Sequence, residues 1–189
     1  MSFWLTNFLG NILNRLNMVK VTSSIKVNTV ANGTVRCGQH AVIHNHGSKS
    51  NIILGKFVTL DGTLECYKHG SLIIGDYTYI GRSRIFVASK VEIGKGVLIS
   101  DNVVVLDSDL HPLSAKKRYQ DLVEWCEKNT FFDVYTNIPN KPLTIHDYVW
   151  IGANVVILKG ITIGEGAMPV VSSQKMSPLT PSWLVIQPE

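Results

Sequence analysis

The chain of 189 residues is 45% hydrophobic and 17% charged, with a formal net charge of +4. That suits one domain with a real core and excludes a disordered chain. It also excludes nucleic acid as a partner, because no run of Lys and Arg is dense enough; the short Lys116-Lys117-Arg118 cluster reads as a solvated loop.

Taken in chain order, residues 1–20 come first. Trp4, Leu5, Phe8, Leu9, Ile12, Leu13 and Leu16 recur at spacings of three and four, which predicts a short amphipathic helix. Asn7, Asn11, Asn14 and Arg15 interrupt the run, so it is too short and too polar to span a bilayer. Neither a basic leader nor a small-residue cleavage site marks a secretory signal. The apolar stripe is expected to pack on the rest of the protein, with at most a weak membrane contact. Cys37, Cys66 and Cys126 are widely spaced with no Cys-x-x-Cys, which supports neither a disulfide framework nor a zinc knuckle. A reducing cytoplasm is the expected compartment.

Residues 21–168 carry a period of six. Ile74 and Ile80 are six residues apart, Val87, Ile93, Ile99 and Val105 recur at intervals of six among themselves, and Ile145, Ile151, Ile157 and Ile163 do the same. Leu54, Leu60 and Cys66 share it upstream, offset by two residues. Glycine follows many of these aliphatics directly, as in Ile93-Gly94 and Ile151-Gly152. Strands alternate with period two and helices near 3.6, and neither explains six. A parallel β-helix does, with one inward aliphatic per short strand, glycine at the corners and each rung burying the next. The expected fold is therefore an all-β solenoid. Between Leu106 and Pro142 the period lapses, and so long an excursion from a regular solenoid is more often functional than idle. It opens Leu106-Asp107-Ser108-Asp109-Leu110-His111-Pro112.

The segments Ile93-Gly94-Lys95-Gly96-Val97 and Val149 to Gly164 resemble the hexapeptide-repeat acyltransferases, among them the maltose, galactoside and polysaccharide O-acetyltransferases. The similarity covers roughly residues 25 to 168. It implies a left-handed parallel β-helix, a homotrimer with active sites between subunits, and acetyl-CoA as co-substrate, with no metal expected. In that family a His-Pro placed after such a rung is the catalytic base, which makes His111 the base here. Neutral imidazole suits the removal of a proton from a sugar hydroxyl at neutral pH. Asp107, Asp109 or a backbone carbonyl could orient it. The resemblance also implies that Trp150, Gly152 and Ala153 line the acetyl-CoA slot, with Lys159 near a CoA phosphate. Arg82, Ser83 and Arg84, with Asp109 beside the base, are the implied contacts of a saccharide acceptor, in surface polysaccharide synthesis by analogy. The acceptor and the hydroxyl acylated stay open.

The histidines His40, His44 and His46 raise the alternative of a zinc hydratase of the same fold, but no third partner recurs with the period. His69 and His146 read as surface or corner residues. Residues 169–189 break the pattern, because Pro169 falls where an inward aliphatic belongs and cannot donate a ladder hydrogen bond. The resembling proteins continue with Ala-Gly-Ser-Val-Val-Thr-Lys and end on Gly-Asn-Pro-Ala and a basic residue. Synonymous codons can be chosen for Met168 to Glu189 that decode, one frame away, as that ending, and the unique codons of Met176 and Trp183 fit as well. The tail is thus expected to be a frameshift product, loosely ordered at best. The chain would then be an acetyltransferase impaired at its C-terminus, or a solenoid remnant serving as a scaffold.

Overall fold

The hexapeptide strands stack into three parallel sheets, the faces of a left-handed β-helical prism. A computed structural model describes residues 19–20, 29–128, 138–169 and 184–186. The predicted N-terminal helix and most of the tail lie outside the described residues. The first sheet runs β1 (Val19–Lys20), β3 (Val35–Cys37), β6 (Val58–Leu60), β9 (Tyr79–Ile80), β12 (Leu98–Ile99) and β15 (Trp150–Ile151). The second holds β2 (Val30–Ala31), β5 (Ile52–Leu54), β8 (Ser71–Ile74), β11 (Lys90–Ile93), β14 (Leu143–Ile145) and β17 (Thr162–Ile163). The third holds β4 (Val42–Asn45), β7 (Thr63–Cys66), β10 (Arg84–Val87), β13 (Val104–Leu106), β16 (Val155–Ile157) and β18 (Leu184–Ile186). Among the strands of the described residues, only β1 pairs antiparallel, against β3.

Each face sends alternate side chains inward, in columns that run from rung to rung. Leu60, Ile80, Ile99 and Ile151 stack in register on the first sheet. Leu54, Ile74, Ile93, Ile145 and Ile163 do so on the second. Leu64, Ile85, Val105 and Ile157 form the third column. All are buried in one continuous core. Each rung therefore hides an apolar surface that the next rung completes, at roughly 25 cal/mol per Å² removed from water.

The corners are built by close approach more than by positive φ. A Cβ on Gly94 would lie 2.4 Å from Oδ1 of Asp147 on the rung above. The same oxygen accepts the Lys95 N–H at 2.9 Å. Asp76 caps Lys56 and Asp101 caps Arg82 in the same way. The positive φ falls two residues further on, and largely on side-chain-bearing residues: Phe57, Tyr77, Asn102, Tyr148 and Asn154.

The excursion replaces the corner between β13 and β14. It contains a helix, α1 (Ala115–Lys128), that the six-residue reading did not anticipate. Ser114 begins it, accepting the Lys117 N–H with its hydroxyl and the Arg118 N–H with its carbonyl. Nearly every described side chain of α1 is exposed, with Tyr119, Leu122 and Trp125 on the surface. Among the described residues no helix is long and apolar enough to cross a membrane.

The tail departs from the expected disorder at two points. Leu184–Ile186 adds a parallel strand in register with Val155–Ile157. The open top of a sheet offers unpaired N–H and C=O groups, and a Leu-Val-Ile run suits pairing with it. Pro169, unable to donate, still accepts the Gly152 N–H at 2.9 Å.

Candidate active site

The residues singled out in the sequence fall on two different edges of the prism. One edge joins the third sheet to the second and consists of Ala88-Ser89 on the rung below, the excursion, and Leu158-Lys159-Gly160 above. The other joins the first sheet to the third and carries Arg82-Ser83, Asp101-Asn102 and Gly152-Ala153.

On the excursion edge the chain closes a narrow neck. Asp107 is fully buried, and its two carboxylate oxygens accept the Ala88 and Ser89 N–H groups, each at 2.7 Å. Burial pushes its carboxyl above the usual carboxylate range, and those donors only partly offset it. Lys141 N–H donates to the Asp107 carbonyl at 2.9 Å, Asp109 N–H donates to the Pro139 carbonyl at 3.1 Å, and Ser108 bridges Asn140 antiparallel. From the rung above, Lys159 Nζ donates to Asp109 Oδ1, an ion pair whose side chains are 27% and 19% exposed. Two buried atoms here have no partner among the described residues, Ser108 Oγ and Asp109 Oδ2.

His111 leaves this neck through a tight turn. Its N–H donates to the Asp109 carbonyl at 2.7 Å, with Leu110 between them at φ +57°. The His111 side chain is exposed, whereas Pro112 behind it is buried. Arg118 donates to the carbonyls of Pro112 and Leu113 at 2.8 and 2.7 Å, tying α1 to the turn. Lys116, Lys117 and Arg118 are all exposed, as expected of a solvated cluster, but they lie on α1 rather than in a loop, and Arg118 also braces the turn that presents His111. Asp107 is fully buried and turned onto the rung below. Lys159 is held by Asp109, an arrangement that competes with its expected role at a phosphate.

The other edge uses its polar groups to hold itself together. Arg82 donates from Nε to Asp101 Oδ2 at 2.9 Å and from its backbone to Oδ1 at 3.0 Å. The guanidinium holds the Asp101 carboxyl below the usual range. Ser83 is buried, donates to the Ser100 carbonyl at 2.6 Å, and accepts the Val103 N–H at 2.9 Å. Its one donor is thus engaged within the prism. Arg84 is exposed on the outer face of the third sheet, between Thr63 and Val104. Trp150, 46% exposed, stands on the outer face of the first sheet above Leu98 and Tyr79, its Nε1 3.4 Å from Ser100 Oγ. Gly152 is buried and Ala153 is exposed. A single chain therefore brings His111, Asp109 and Lys159 together and leaves Trp150, Gly152 and Ala153 around another edge.

The early histidines are engaged separately. His40 Nδ1 lies 3.4 Å from Asp61, and His46 Nε2 lies 2.6 Å from Glu65. Among the described residues no three His, Cys, Asp or Glu side chains gather as a metal site. Sequence reasoning missed Ser108 and Arg118. It could have placed Lys159 over the neck by counting rungs, because Val105 and Ile157 are register partners.

Comparison with known proteins adds chemistry to this geometry. The chain is 32% identical over 106 residues to the polysialic acid O-acetyltransferase of Escherichia coli, across 53% of this chain and 29% of that protein. It is similar to hexapeptide-repeat acetyltransferases. A probable acetyltransferase of Mycobacterium tuberculosis is 27% identical over 141 residues, 74% of this chain and 42% of the relative. The chain thus spans less than half the length of the curated relatives it matches. Among solved structures, the N-acyltransferase AntD of Bacillus cereus, in complex with dTDP and 3-hydroxybutyryl-CoA, superimposes with a TM-score of 0.57. The superposition covers 83% of this chain and 80% of AntD at 20% identity, a likeness of fold. No family model matches the chain.

Proposed function

We propose that the chain transfers acetyl from acetyl-CoA to a hydroxyl of a saccharide, with His111 as the general base. The observation that carries this is an exposed imidazole presented by a pinned neck, on a prism whose relatives are acetyltransferases. Resemblance to a polysialic acid O-acetyltransferase favours oxygen over nitrogen as the nucleophile and a surface polysaccharide or its precursor as the acceptor. AntD was crystallised with CoA species, which supports a CoA thioester as donor.

In the reaction the sugar oxygen attacks the thioester carbonyl carbon while His111 takes the hydroxyl proton. The tetrahedral oxyanion is met by a backbone N–H at a corner. Collapse breaks the C–S bond, and the imidazolium returns its proton to the departing CoA sulfur, leaving an acetate ester and free CoA. No group of this chain needs to be acylated on the way.

Trp150, Gly152 and Ala153 line the CoA slot in this reading, and Arg82 and Arg84 remain the candidate contacts for the acceptor. Because these residues and His111 occupy different edges, the complete site is built between neighbouring copies, in a homotrimer. The three unpaired cysteines suit the cytoplasm. The frameshifted tail weakens CoA binding by removing the last rung.

Two measurements test this. Thiol release from acetyl-CoA is followed with a panel of saccharide acceptors, and CoA binding is measured by calorimetry on this chain and on one with the C-terminal frame restored. Turnover with a saccharide is expected, stronger in the restored chain. Absence of CoA binding by both chains would overturn the reading.

A further inference from the structure

We propose that Asp109 and Lys159 form a positioning pair for His111, Lys159 holding Oδ1 of Asp109 while Oδ2 takes the second imidazole N–H as the base becomes charged. This rests on the reading of His111 as the base. It assigns the orienting partner among the candidates beside His111.

Asp107 is set aside first, because it is fully buried and both of its oxygens turn onto backbone N–H groups of the rung below, away from the exposed ring. Asp109 is fixed from three directions. Its N–H donates to Pro139, its carbonyl accepts the His111 N–H, and Lys159 holds Oδ1. Oδ2 is buried with no donor among the described residues. A carboxylate oxygen in that state is costly, and in a native fold it calls for a partner. The left-handed Leu110, a strained state for a branched side chain, keeps Asp109 and His111 on one tight turn.

The imidazolium formed when His111 takes the proton is a donor at both nitrogens. Catalytic hydrogen bonds are often long before substrate binds and close in the complex. Lys159 has the complementary task. Its ammonium holds the Asp109 carboxylate by Oδ1 and leaves Oδ2 free to meet the ring. It reaches the neck from the next rung, so the stacking of the prism is transmitted to the angle of the base. Other charged residues on the elements around this turn include Asp107 and Lys141 at the neck and Arg118 on α1, which also carries Lys116, Lys117, Asp121, Glu124, Glu127 and Lys128.

The test compares the full chain with Lys159→Met, Lys159→Arg, Asp109→Asn and His111→Ala, by steady-state kinetics and by NMR of the His111 imidazole. Lys159→Met and Asp109→Asn are expected to lower kcat about tenfold to a hundredfold, the scale of a displaced reacting group. KM for acetyl-CoA should stay within about twofold of the unmodified chain, as for interactions made in the transition state only. Lys159→Arg should recover most of kcat. Asp109→Asn should change the tautomer balance of the His111 ring, read from its nitrogen chemical shifts, because the partner of one ring nitrogen is altered.

A raised KM for acetyl-CoA with unchanged kcat in Lys159→Met would make Lys159 a phosphate contact and overturn the pair. So would unmoved His111 ring nitrogen shifts in Asp109→Asn. Full turnover in His111→Ala would sink the base reading instead, a distinct result. If Lys159→Met fails to fold, Lys159→Arg and the ring spectrum of Asp109→Asn still decide. The ring spectrum also decides if the chain turns over too slowly to assay.

Discussion

The two polar edges of this prism put the same kinds of residue to opposite uses. On the edge joining the first and third sheets, Arg82, Ser83 and Asp101 satisfy one another and the backbone of adjacent rungs. On the edge joining the third and second sheets, Ser108 Oγ and Asp109 Oδ2 stay buried without a partner among the described residues, beside an exposed His111. A solenoid gains stability by closing every corner hydrogen bond. An edge that keeps unpaired polar atoms gives up part of that gain, and such departures concentrate where chemistry is done.

The largest effect that would sharpen this contrast is on turnover. His111→Ala should lower kcat about a hundredfold to ten-thousandfold, while the melting temperature and CoA affinity stay near those of the unmodified chain. A wild-type rate in that variant would erase the functional distinction between the edges. Ser83→Ala should do the reverse: the Val103 N–H loses its acceptor inside the core, at about 1–3 kcal/mol. Chemical denaturation should detect that loss, with kcat unaffected.

A third effect concerns pH. Burial pushes the Cys66 thiol up to about 12 from its ordinary 9.0, with Asp107 and Glu65 adding to the shift. A folded value above the unfolded one gives stability that is fully present below about pH 9 and is lost as pH rises toward 12. Alkaline melts of Cys66→Val should be flatter than those of the parent over that window. A thiol reagent at neutral pH should label exposed Cys126 alone, with Cys37 and Cys66 reacting on unfolding. The smallest effect is expected at Ser108→Ala, within about half a kcal/mol of the parent, because its hydroxyl has no bond to lose. A loss there as large as that of Ser83→Ala would mean that the two edges are not different in kind.

Much of the fold was legible because a six-residue period has one physical solution. Ile93, Ile99 and Val105 announced three faces in turn, and Ile145 to Ile163 announced them again. The helix α1 was not legible from that period, since its residues obey a different one. The tail strand escaped notice because its pairing depends on an open sheet top rather than on its own pattern. His111 was visible through its His-Pro context, whereas the bracing by Arg118 was hidden behind an ordinary basic cluster. Glycine's role was only half visible. Positive φ was the obvious explanation, but aromatic and Asn residues hold most of those positions, while Gly94 makes room for an aspartate from above.

The sequence by itself determined the stacked three-faced solenoid, the site of its interruption and the identity of the exposed imidazole. Those follow from local periodicity, which each rung expresses alone and its neighbours merely repeat. Only the tertiary structure decided which way each of the two acids near His111 turns. Asp107 and Asp109 are two residues apart and chemically alike. Stacking sends one down to Ala88 and Ser89, and the other up to Lys159, fifty residues further along the chain. Register between rungs makes that choice, because a carboxylate buried at a corner takes whichever donors the adjacent rungs present.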